Sequence, residues 1–386
     1  MSALWPWLRE PLGQALQQLH SHAVLLHGPE GVGQFEFSMA LSRAWLCEQS
    51  AVQSAGQGGV DGMGGGQSNG SHATLQPACG QCVSCRLMDA GSHPDFHLVL
   101  PEALQASLGL GGRDAGADEG SGDGDKAGGK SRKPSQEIKV DAIRAVVQFS
   151  QNTASRGRAK VVLVHPVERM NLVAANTLLK TLEEPPGQVR FVLSGSALEQ
   201  LLPTVRSRCQ AWRLSLPDTE VAVAWLAAQG GTSAAPSERP PSEAALAEAR
   251  VLLAAAGGQP LSARDRLAQG LDAQSWASLP KALSRGLPGA LPQWPLAWTV
   301  ESLQKLCHDL ARMAVGAEPR YFPADSLPPP PELARLQQWS QELARLSRHA
   351  DHPWALPLKV EALVMQARAV MRAKAAPGNL RGSPQA

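Results

Sequence analysis

The sequence predicts an α/β domain with a five-stranded, mostly parallel sheet, followed by a small helical domain and a C-terminal all-α domain. Between residues 22 and 216, short β-branched runs alternate with helical patterns, which is typical of parallel α/β domains. Beyond Pro217 the strand signal disappears, and helical patterns separated by Pro-rich spacers remain. A length of 386 residues is enough for two to three domains, each with its own core.

Five apolar runs are predicted as strands of the first domain, at 22–27, 95–100, 160–165, 189–194 and 211–216. The helices predicted between them lie at 34–48, 79–90, 139–151 and 171–184. Further helices are predicted at 221–229, 242–256, 300–315, 330–348 and 357–374. The predicted domains are therefore 1–216, a lid-sized helical domain 217–275 and a helical domain 276–376, with a disordered tail 377–386.

Two stretches rich in glycine interrupt the first domain, at about 50–77 and 102–136. Their apolar content is too low to offset the entropy lost on ordering, so both are predicted to be disordered loops. The segment 230–241 has the composition of a linker.

The charge balance and the cysteine content exclude several classes of protein. Lys+Arg total 36 and Asp+Glu total 34, so a formal charge of +2 gives no strong overall attraction to nucleic acid or to a membrane. Six cysteines in a chain of this length do not form a disulfide framework. No signal peptide and no apolar stretch of about 18 residues is evident. We expect a cytoplasmic protein with reduced thiols and no membrane partner.

A glycine-rich turn follows the first predicted strand, with the sequence Gly28-Pro-Glu-Gly31-Val-Gly33-Gln34-Phe35. Its glycines fit the phosphate-binding loop G-x-x-x-x-G-K-[ST], but Gln34 replaces the lysine and Phe35 replaces the hydroxyl residue. Neither an amide nor a phenyl ring can replace the phosphate-binding charge or the Mg²⁺ ligand. Gly28, Gly31 and Gly33 are therefore predicted to form a degenerate phosphate loop that binds no ATP, although its backbone N–H groups could attract an anion.

The third predicted strand ends without the carboxylates that an ATP-hydrolysing site requires. One carboxylate would hold the metal and another would polarise water, and these positions contain His165 and Pro166. Glu168 lies past the strand end, where a solvated or a capping role is expected.

Three cysteines at C-x₂-C-x₂-C spacing form the sequence Cys79-Gly-Gln-Cys82-Val-Ser-Cys85. With Cys47 as a fourth ligand they would form a closed tetrahedral zinc site, which is structural because no position remains for water. His72 and His93 are alternatives for the fourth ligand. An iron–sulfur cluster of the ferredoxin type would require a cysteine where Asp89 stands. Cys209 and Cys307 are predicted to be ordinary buried thiols.

The segment L-L-K-T-L-E-E-P-P at 178–186 precedes a predicted strand, and Ser207-Arg208-Cys209 follows that strand. This combination resembles the AAA+ clamp-loader subunits of bacterial DNA polymerase III. The cysteine module and Ser92-His-Pro-Asp95 add to the resemblance. Motor subunits of this family, tau and gamma, have an intact Lys/Thr loop and an acidic strand end, so the defects at Gln34, Phe35 and His165 resemble the stator, which lacks ATPase activity.

The resemblance implies an AAA+ core, a lid and a helical collar that joins subunits. It implies assembly with tau/gamma and delta in the DNA polymerase III holoenzyme, a DNA-directed DNA polymerase and therefore a nucleotidyltransferase, in which the chain itself catalyses nothing. The complex uses ATP to open a sliding clamp and place it on primed DNA. It also implies that Arg208 is an arginine finger for ATP on the adjacent motor subunit. Arg206 remains an alternative, because two residues on an extended segment share a face.

Two other functions stay open. The chain could be a divergent motor-type ATPase that binds nucleotide without the lysine. It could also be a zinc-dependent nucleic-acid-binding module, which the net charge of +2 does not favour.

Overall fold

The computed structural model describes residues 4–52, 74–110, 134–229, 241–349 and 355–372. Its contacts divide the chain into two compact units, Met1–Leu216 and Pro217–Ala386. The finer division of the second unit into 217–275 and 276–376 stays a prediction. The predicted tail 377–386 lies outside the described residues.

The first unit contains strands and helices interspersed along the chain. Its helices are α1 (Arg9–Gln18), α2 (Gln34–Leu46), α3 (Val83–Asp89), α4 (Glu102–Ser107), α5 (Val140–Gln151), α6 (Leu172–Glu183) and α7 (Pro203–Arg206). Its strands are β1 (Ala23–His27), β2 (Ala51–Val52), β3 (Thr74–Leu75), β4 (Phe96–Val99), β5 (Lys160–Val164), β6 (Val189–Gly195) and β7 (Gln210–Arg213).

The main sheet has five strands in the order β4-β5-β6-β1-β7, and every pairing within it is parallel. This confirms the predicted α/β fold class. Because the strands are parallel, their carboxyl ends share one edge of the sheet and their amino ends share the opposite edge. The loops that follow β1, β5 and β6 therefore meet at the carboxyl edge.

Helices cover both faces of this sheet, which explains why its central strands are continuously apolar. Successive residues of a strand point to opposite faces. In β1, Val24 and Leu26 pack with the α1 and α2 side of the core, whereas Ala23 and Leu25 pack with the α5 and α6 side. All of β5 is buried.

Two helices of this unit differ from the prediction, α1 and α4. Helix α1 was not predicted, although Leu12, Leu16 and Leu19 are spaced as one buried helix face. Helix α4 occupies the start of the predicted loop 102–136, so the loop prediction is wrong for Glu102–Ser107. Glu102 fixes this helix, because its carboxylate accepts the backbone N–H of Ser135 at 2.9 Å and pairs with Lys139 at 2.6 Å. Residues 111–133 of that stretch lie outside the described residues.

The two ends of the predicted loop 50–77 form regular structure, so the loop prediction is wrong there. Its ends form an antiparallel pair in which Ala51 is opposite Leu75 and Val52 is opposite Thr74. Residues 53–73 between them lie outside the described residues.

The described part of the second unit is helical. Its helices are α8 (Thr219–Gln229), α9 (Glu243–Ala255), α10 (Pro260–Ala268), α11 (Ala273–Arg285), α12 (Leu296–Ala314), α13 (Leu333–Ser347) and α14 (Leu356–Arg372). The prediction missed α10 and α11. Helix α11 contains Pro280 in its interior, and it is bounded by Asp272, which caps its start, and by Gly286, which ends it in the left-handed region. Among the described residues, no helix has both the length and the apolar character to cross a membrane.

Candidate functional site

The loop 28–33 joins the carboxyl end of β1 to the start of α2, and its glycines have backbone roles. Gly31 and Gly33 lie in the left-handed region, with φ of 71° and 104°. A Cβ on Gly28 would lie 2.3 Å from the carbonyl oxygen of Leu214, which belongs to the chain after β7. These glycines are therefore required by the turn and by close packing, whether or not an anion binds.

The side chain of Gln34 turns back into this loop. It is buried, and its Nε2 donates to the carbonyl oxygens of Gly28 at 2.9 Å and Pro29 at 2.5 Å. The position that holds a lysine in a working phosphate loop therefore contains a neutral amide that is already hydrogen-bonded within the loop.

Phe35, in the first turn of α2, packs against His165, the residue that follows β5. Their ring centroids are 5.3 Å apart, and His165 Nδ1 lies 3.0 Å from Ser194 Oγ on β6. Burial lowers the pKa of His165, which favours the neutral imidazole. An aromatic ring and a neutral imidazole offer Mg²⁺ no oxygen ligand at this position.

Glu168 has a capping role, one of the two expected from the sequence. Its Oε1 accepts the backbone N–H of Ser196 at 3.0 Å and of Ala197 at 3.3 Å, just after β6. Gly195 leaves the space for this contact, because a Cβ there would lie 1.8 Å from Glu168 Oε2. This carboxylate stabilises a turn.

The structure brings Cys47, Cys79, Cys82 and Cys85 together, with all four sulfur atoms within 4.8 Å of one another. Cys47 ends α2, and the other three surround the start of α3. The distance from Cys47 Sγ to Cys82 Sγ is 3.9 Å, and that from Cys79 Sγ to Cys85 Sγ is 4.0 Å. Four sulfurs each about 2.3 Å from one zinc ion would be separated by about 3.8 Å, so the cluster fits tetrahedral thiolate coordination.

The protein environment differs between the cysteines of this cluster. The backbone N–H groups of Gln81 and Cys82 point at Cys79 Sγ and lower the pKa of Cys79 to about 6. Burial raises the pKa of Cys85 to about 12. His93, an alternative ligand in the sequence analysis, lies outside the cluster, since its Nδ1 accepts the backbone N–H of Asp95 at 3.1 Å. His72 is outside the described residues.

Two arginines that the sequence analysis did not single out attach the cysteine module to the loop before β5. Arg156 pairs with Glu48 at 2.6 Å, and Glu48 also accepts the hydroxyl of Ser84 at 3.0 Å. Arg158 donates to the carbonyl oxygen of Cys47. In the sequence, these contacts are marked only by two arginines in a short Gly-containing loop. Such a pattern is too common to predict which groups the arginines bind.

Arg208 lies between α7 and β7, and its guanidinium contacts the helix α6. Its Nε donates to Glu183 Oε1 at 2.7 Å, its Nη2 donates to the same oxygen, and its Nη1 donates to the carbonyl oxygen of Thr204 at 2.8 Å. Glu183 belongs to the E-E-P-P segment, but the sequence assigned it no role. The expectation of an extended segment at 206–208 is wrong, because α7 is helical to Arg206 and Ser207 keeps helical backbone angles. Among the described residues, Arg206 has no side-chain hydrogen-bond partner.

Arg208 and the degenerate loop lie at opposite edges of the sheet. In the register of β7 against β1, Gln210 is opposite Val24 and Arg213 is opposite His27. Arg208 precedes this paired segment and Gly28 follows it. Three strand steps of about 3.3 Å correspond to about 10 Å of sheet between the two positions.

The chain is similar in sequence to known subunits of DNA polymerase III. Residues 67–218 match the family model described as DNA polymerase III, delta subunit. The DNA polymerase III subunit delta prime of Pseudomonas aeruginosa is 33% identical over 336 residues, which cover 80% of this chain and 80% of that protein. The chain belongs to the DNA polymerase III delta prime family.

Two further delta prime subunits support this family membership. Those of Yersinia pestis and Escherichia coli are 33% and 29% identical, cover 79% and 78% of this chain, and are themselves covered over 71% and 76%. Among solved structures, the match to a gamma-subunit-related protein of DNA polymerase III from Thermotoga maritima covers 95% of this chain and 100% of that protein. The sequence identity is 14% and the TM-score is 0.42, and a similarity this low supports no inference. The family resemblance drawn from the segment 178–186 and Ser207-Arg208-Cys209 is confirmed.

Proposed function

We propose that this delta prime chain is the non-hydrolysing stator of a DNA polymerase III clamp loader and helps to load the sliding clamp onto primed DNA. Its named relatives and its five-stranded α/β core support this role. Its partners would be the tau/gamma and delta subunits, with the clamp and DNA contacted through the complex, in the cytoplasm.

The chain hydrolyses no ATP of its own. The amide of Gln34 is bound to loop carbonyls, and Phe35 packs on His165 at the end of β5. Phosphoryl transfer needs a cation at the phosphates, a metal ligand and a group that orients water, and none of these three residues supplies one. Gly28, Gly31 and Gly33 keep the turn but hold no nucleotide.

Arg208 acts in trans, on ATP held by the adjacent motor subunit. The observation that carries this proposal is its place at the amino edge of the sheet, about 10 Å of strand away from its own degenerate loop. Its side chain is 32% exposed, so another chain can approach it. A guanidinium supplied from a neighbour neutralises the charge that develops on the transferred phosphoryl group.

Cys47, Cys79, Cys82 and Cys85 hold a structural zinc ion. The fit of four sulfur atoms to tetrahedral spacing supports this assignment. Bound zinc would cross-link the end of α2 to the start of α3, and four protein ligands would leave no position for substrate or water.

The proposal is tested with loaders reconstituted from purified subunits in the presence of clamp and primed DNA. Single-turnover ATP hydrolysis is compared for wild type, Arg208→Ala and Arg208→Lys, with assembly checked by size-exclusion chromatography. We expect Arg208→Ala to slow hydrolysis at the adjoining site by about 10³-fold or more. Arg208→Lys should restore little, because lysine lacks the planar fork.

Arg206→Ala is the matched control, since Arg206 is a nearby exposed arginine of the same segment. We expect hydrolysis at the wild-type rate in this variant. Unchanged hydrolysis in an assembled Arg208→Ala loader would exclude the trans role.

A further inference from the structure

We propose that Glu183 is a positioning residue that orients the guanidinium of Arg208 toward the phosphate groups of the neighbouring subunit's nucleotide. This inference rests on the proposed trans role of Arg208. It starts from the contact between the two segments that define the family motif, which are 25 residues apart in sequence.

The guanidinium of Arg208 makes hydrogen bonds within the chain on two flanks. Nε–H and one Nη2–H point the same way, and both donate to Glu183 Oε1. On the other flank, Nη1 donates to the carbonyl oxygen of Thr204 at 2.8 Å and meets the Ser207 hydroxyl only at 3.4 Å. The outer edge, where Nη1 and Nη2 lie side by side, is the edge that can donate two parallel N–H groups to phosphate oxygens.

Both members of the pair are attached to ordered elements. Glu183 is the last residue of α6, whose Leu178 and Leu182 are fully buried, and Pro185 prevents the helix from continuing. Arg208 follows α7, in which Val205 is fully buried, and its backbone N–H donates to the Val205 carbonyl at 3.2 Å. The direction of the guanidinium is therefore set by two packed helices.

The ion pair between Arg208 and Glu183 is too exposed to contribute much to the free energy of folding. The side chains of Arg208 and Glu183 are 32% and 47% exposed, and exposed ion pairs contribute little to folding. A long arginine side chain without this contact would sample many rotamers. Orientation before the neighbour binds is thus the main effect of Glu183.

Glu183→Ala tests the inference in the reconstituted loader, and Glu184→Gln is its matched control. Glu184 is the next residue, is also exposed, and has no hydrogen-bond partner for its carboxylate among the described residues. We expect Glu183→Ala to slow single-turnover hydrolysis at the adjoining site by roughly 10- to 100-fold, with little change in the ATP concentration for half-saturation. Glu183→Gln should retain part of the rate, because its amide oxygen still accepts from Nε. Glu184→Gln should hydrolyse ATP at the wild-type rate.

A double variant separates positioning through Arg208 from an independent effect of Glu183. If Glu183 acts only through Arg208, Glu183→Ala combined with Arg208→Ala should be no slower than Arg208→Ala alone. Additive losses would overturn the inference. Full activity of Glu183→Ala, alongside an impaired Arg208→Ala, would overturn it and leave the trans role standing, whereas full activity of Arg208→Ala would remove both.

The contact can also be measured without the loader. In the isolated chain, NMR should show a slowly exchanging Nε–H signal for Arg208 in wild type and in Glu184→Gln. This signal should exchange rapidly in Glu183→Ala. A rapidly exchanging signal in the wild type would contradict the proposed orientation even if a variant failed to assemble.

Discussion

At the scale of single residues, Gln34 determines the state of the degenerate loop. Its amide donates to two carbonyl oxygens of the loop. The side chain therefore lies against the loop, where a phosphate-binding lysine would extend toward the nucleotide. A lysine at the same position would bring a charge into a site where Gln34 is only 6% exposed. Restoring the motif residue would therefore not restore a working site.

We expect Gln34→Lys to produce no ATP turnover in the isolated chain, because Phe35 and His165 still occupy the metal side of the site. The free energy of unfolding should fall by about 1–3 kcal/mol, since one buried and one partly buried carbonyl oxygen lose their donor. Phosphate release, binding of labelled ATP and urea unfolding measure these effects. Turnover by Gln34→Lys alone would favour the divergent motor-type ATPase instead.

The sequence was sufficient for part of this site. The spacing of Gly28 and Gly33 predicted the loop, and Gln34 and Phe35 at the two chemical positions predicted its defect. The direction of the Gln34 amide could not be predicted, because a free glutamine has several rotamers and only the folded loop selects one. The same holds for Glu183, which meets Arg208 only after β6 and α7 have folded.

At the scale of elements, the cysteine module joins the end of α2 to the start of α3. The module has only a small apolar interior, formed by the buried cysteines with Ala78 and the partly buried Cys79 against them. A core of this size cannot order such a segment by itself, so a metal cross-link is the expected source of its stability.

We expect Cys82→Ser to lose stoichiometric zinc and to make the segment 79–90 sensitive to limited proteolysis, while the parallel sheet remains folded. Removing one of four ligands weakens a site whose binding free energy in small zinc domains is roughly 10–16 kcal/mol. Elemental analysis measures the metal, and circular dichroism measures the remaining fold.

Cys209→Ser is the control for this experiment, because Cys209 is a thiol of the same unit outside the cluster. It should keep one zinc per chain. Wild-type protein purified without chelator and found free of zinc would exclude the assignment.

The elements themselves were predictable to different degrees. The central strands were found within one or two residues, because burial on both faces makes them uninterrupted apolar runs. Helix α4 was missed because its six residues open a stretch of low complexity, and its anchor Ser135 lies on the far side of that stretch. A contact between residues this far apart in sequence produces no local sequence pattern from which the helix could be predicted.

At the scale of the whole molecule, the second unit contains an ionic cluster that links α9, α10 and α12. Glu301 pairs with Arg266 at 2.5 Å and with Lys305 at 2.6 Å. Lys305 also donates to the carbonyl oxygen of Ala255 at 2.5 Å, at the end of α9. The cluster therefore connects α12 to two consecutive helices that precede it in the sequence, α9 and α10.

This cluster should make the stability of the chain depend on pH in the alkaline range. Burial lowers the pKa of Lys305 from its ordinary 10.5 to about 8, against the opposing effect of Glu301, with Arg266 and Arg320 lowering it further. Between these two values the unfolded chain binds more protons than the folded chain, so the Lys305 contribution to the free energy of unfolding rises with pH. At pH values below both, the full cost of burying the charge is present.

Urea unfolding of wild type and Lys305→Met between pH 8 and 10.5 measures this contribution. The wild type should gain stability relative to Lys305→Met as pH rises. Lys281→Met, which changes an exposed lysine of α11, should follow the wild type. Parallel pH profiles for wild type and Lys305→Met would contradict the prediction.

The family could be inferred from the sequence because its motif residues are contiguous within 178–186 and 207–209. Whether Arg208 can serve its own loop could not be decided that way. That question depends on the position of β7 beside β1, and strand order is not encoded by any single segment.

The two-stranded pair of β2 and β3 has a consequence for how this gene could change over time. Val52 and Thr74 lie opposite each other on these adjacent strands, whose backbones are separated by one strand spacing of about 5 Å. Lengthening the connection between two neighbouring fixed points of a fold costs only about 0.6 kcal/mol for each doubling of its length. Insertions and deletions can therefore accumulate between Val52 and Thr74 without selection against misfolding, and the same position suits the grafting of a reporter domain.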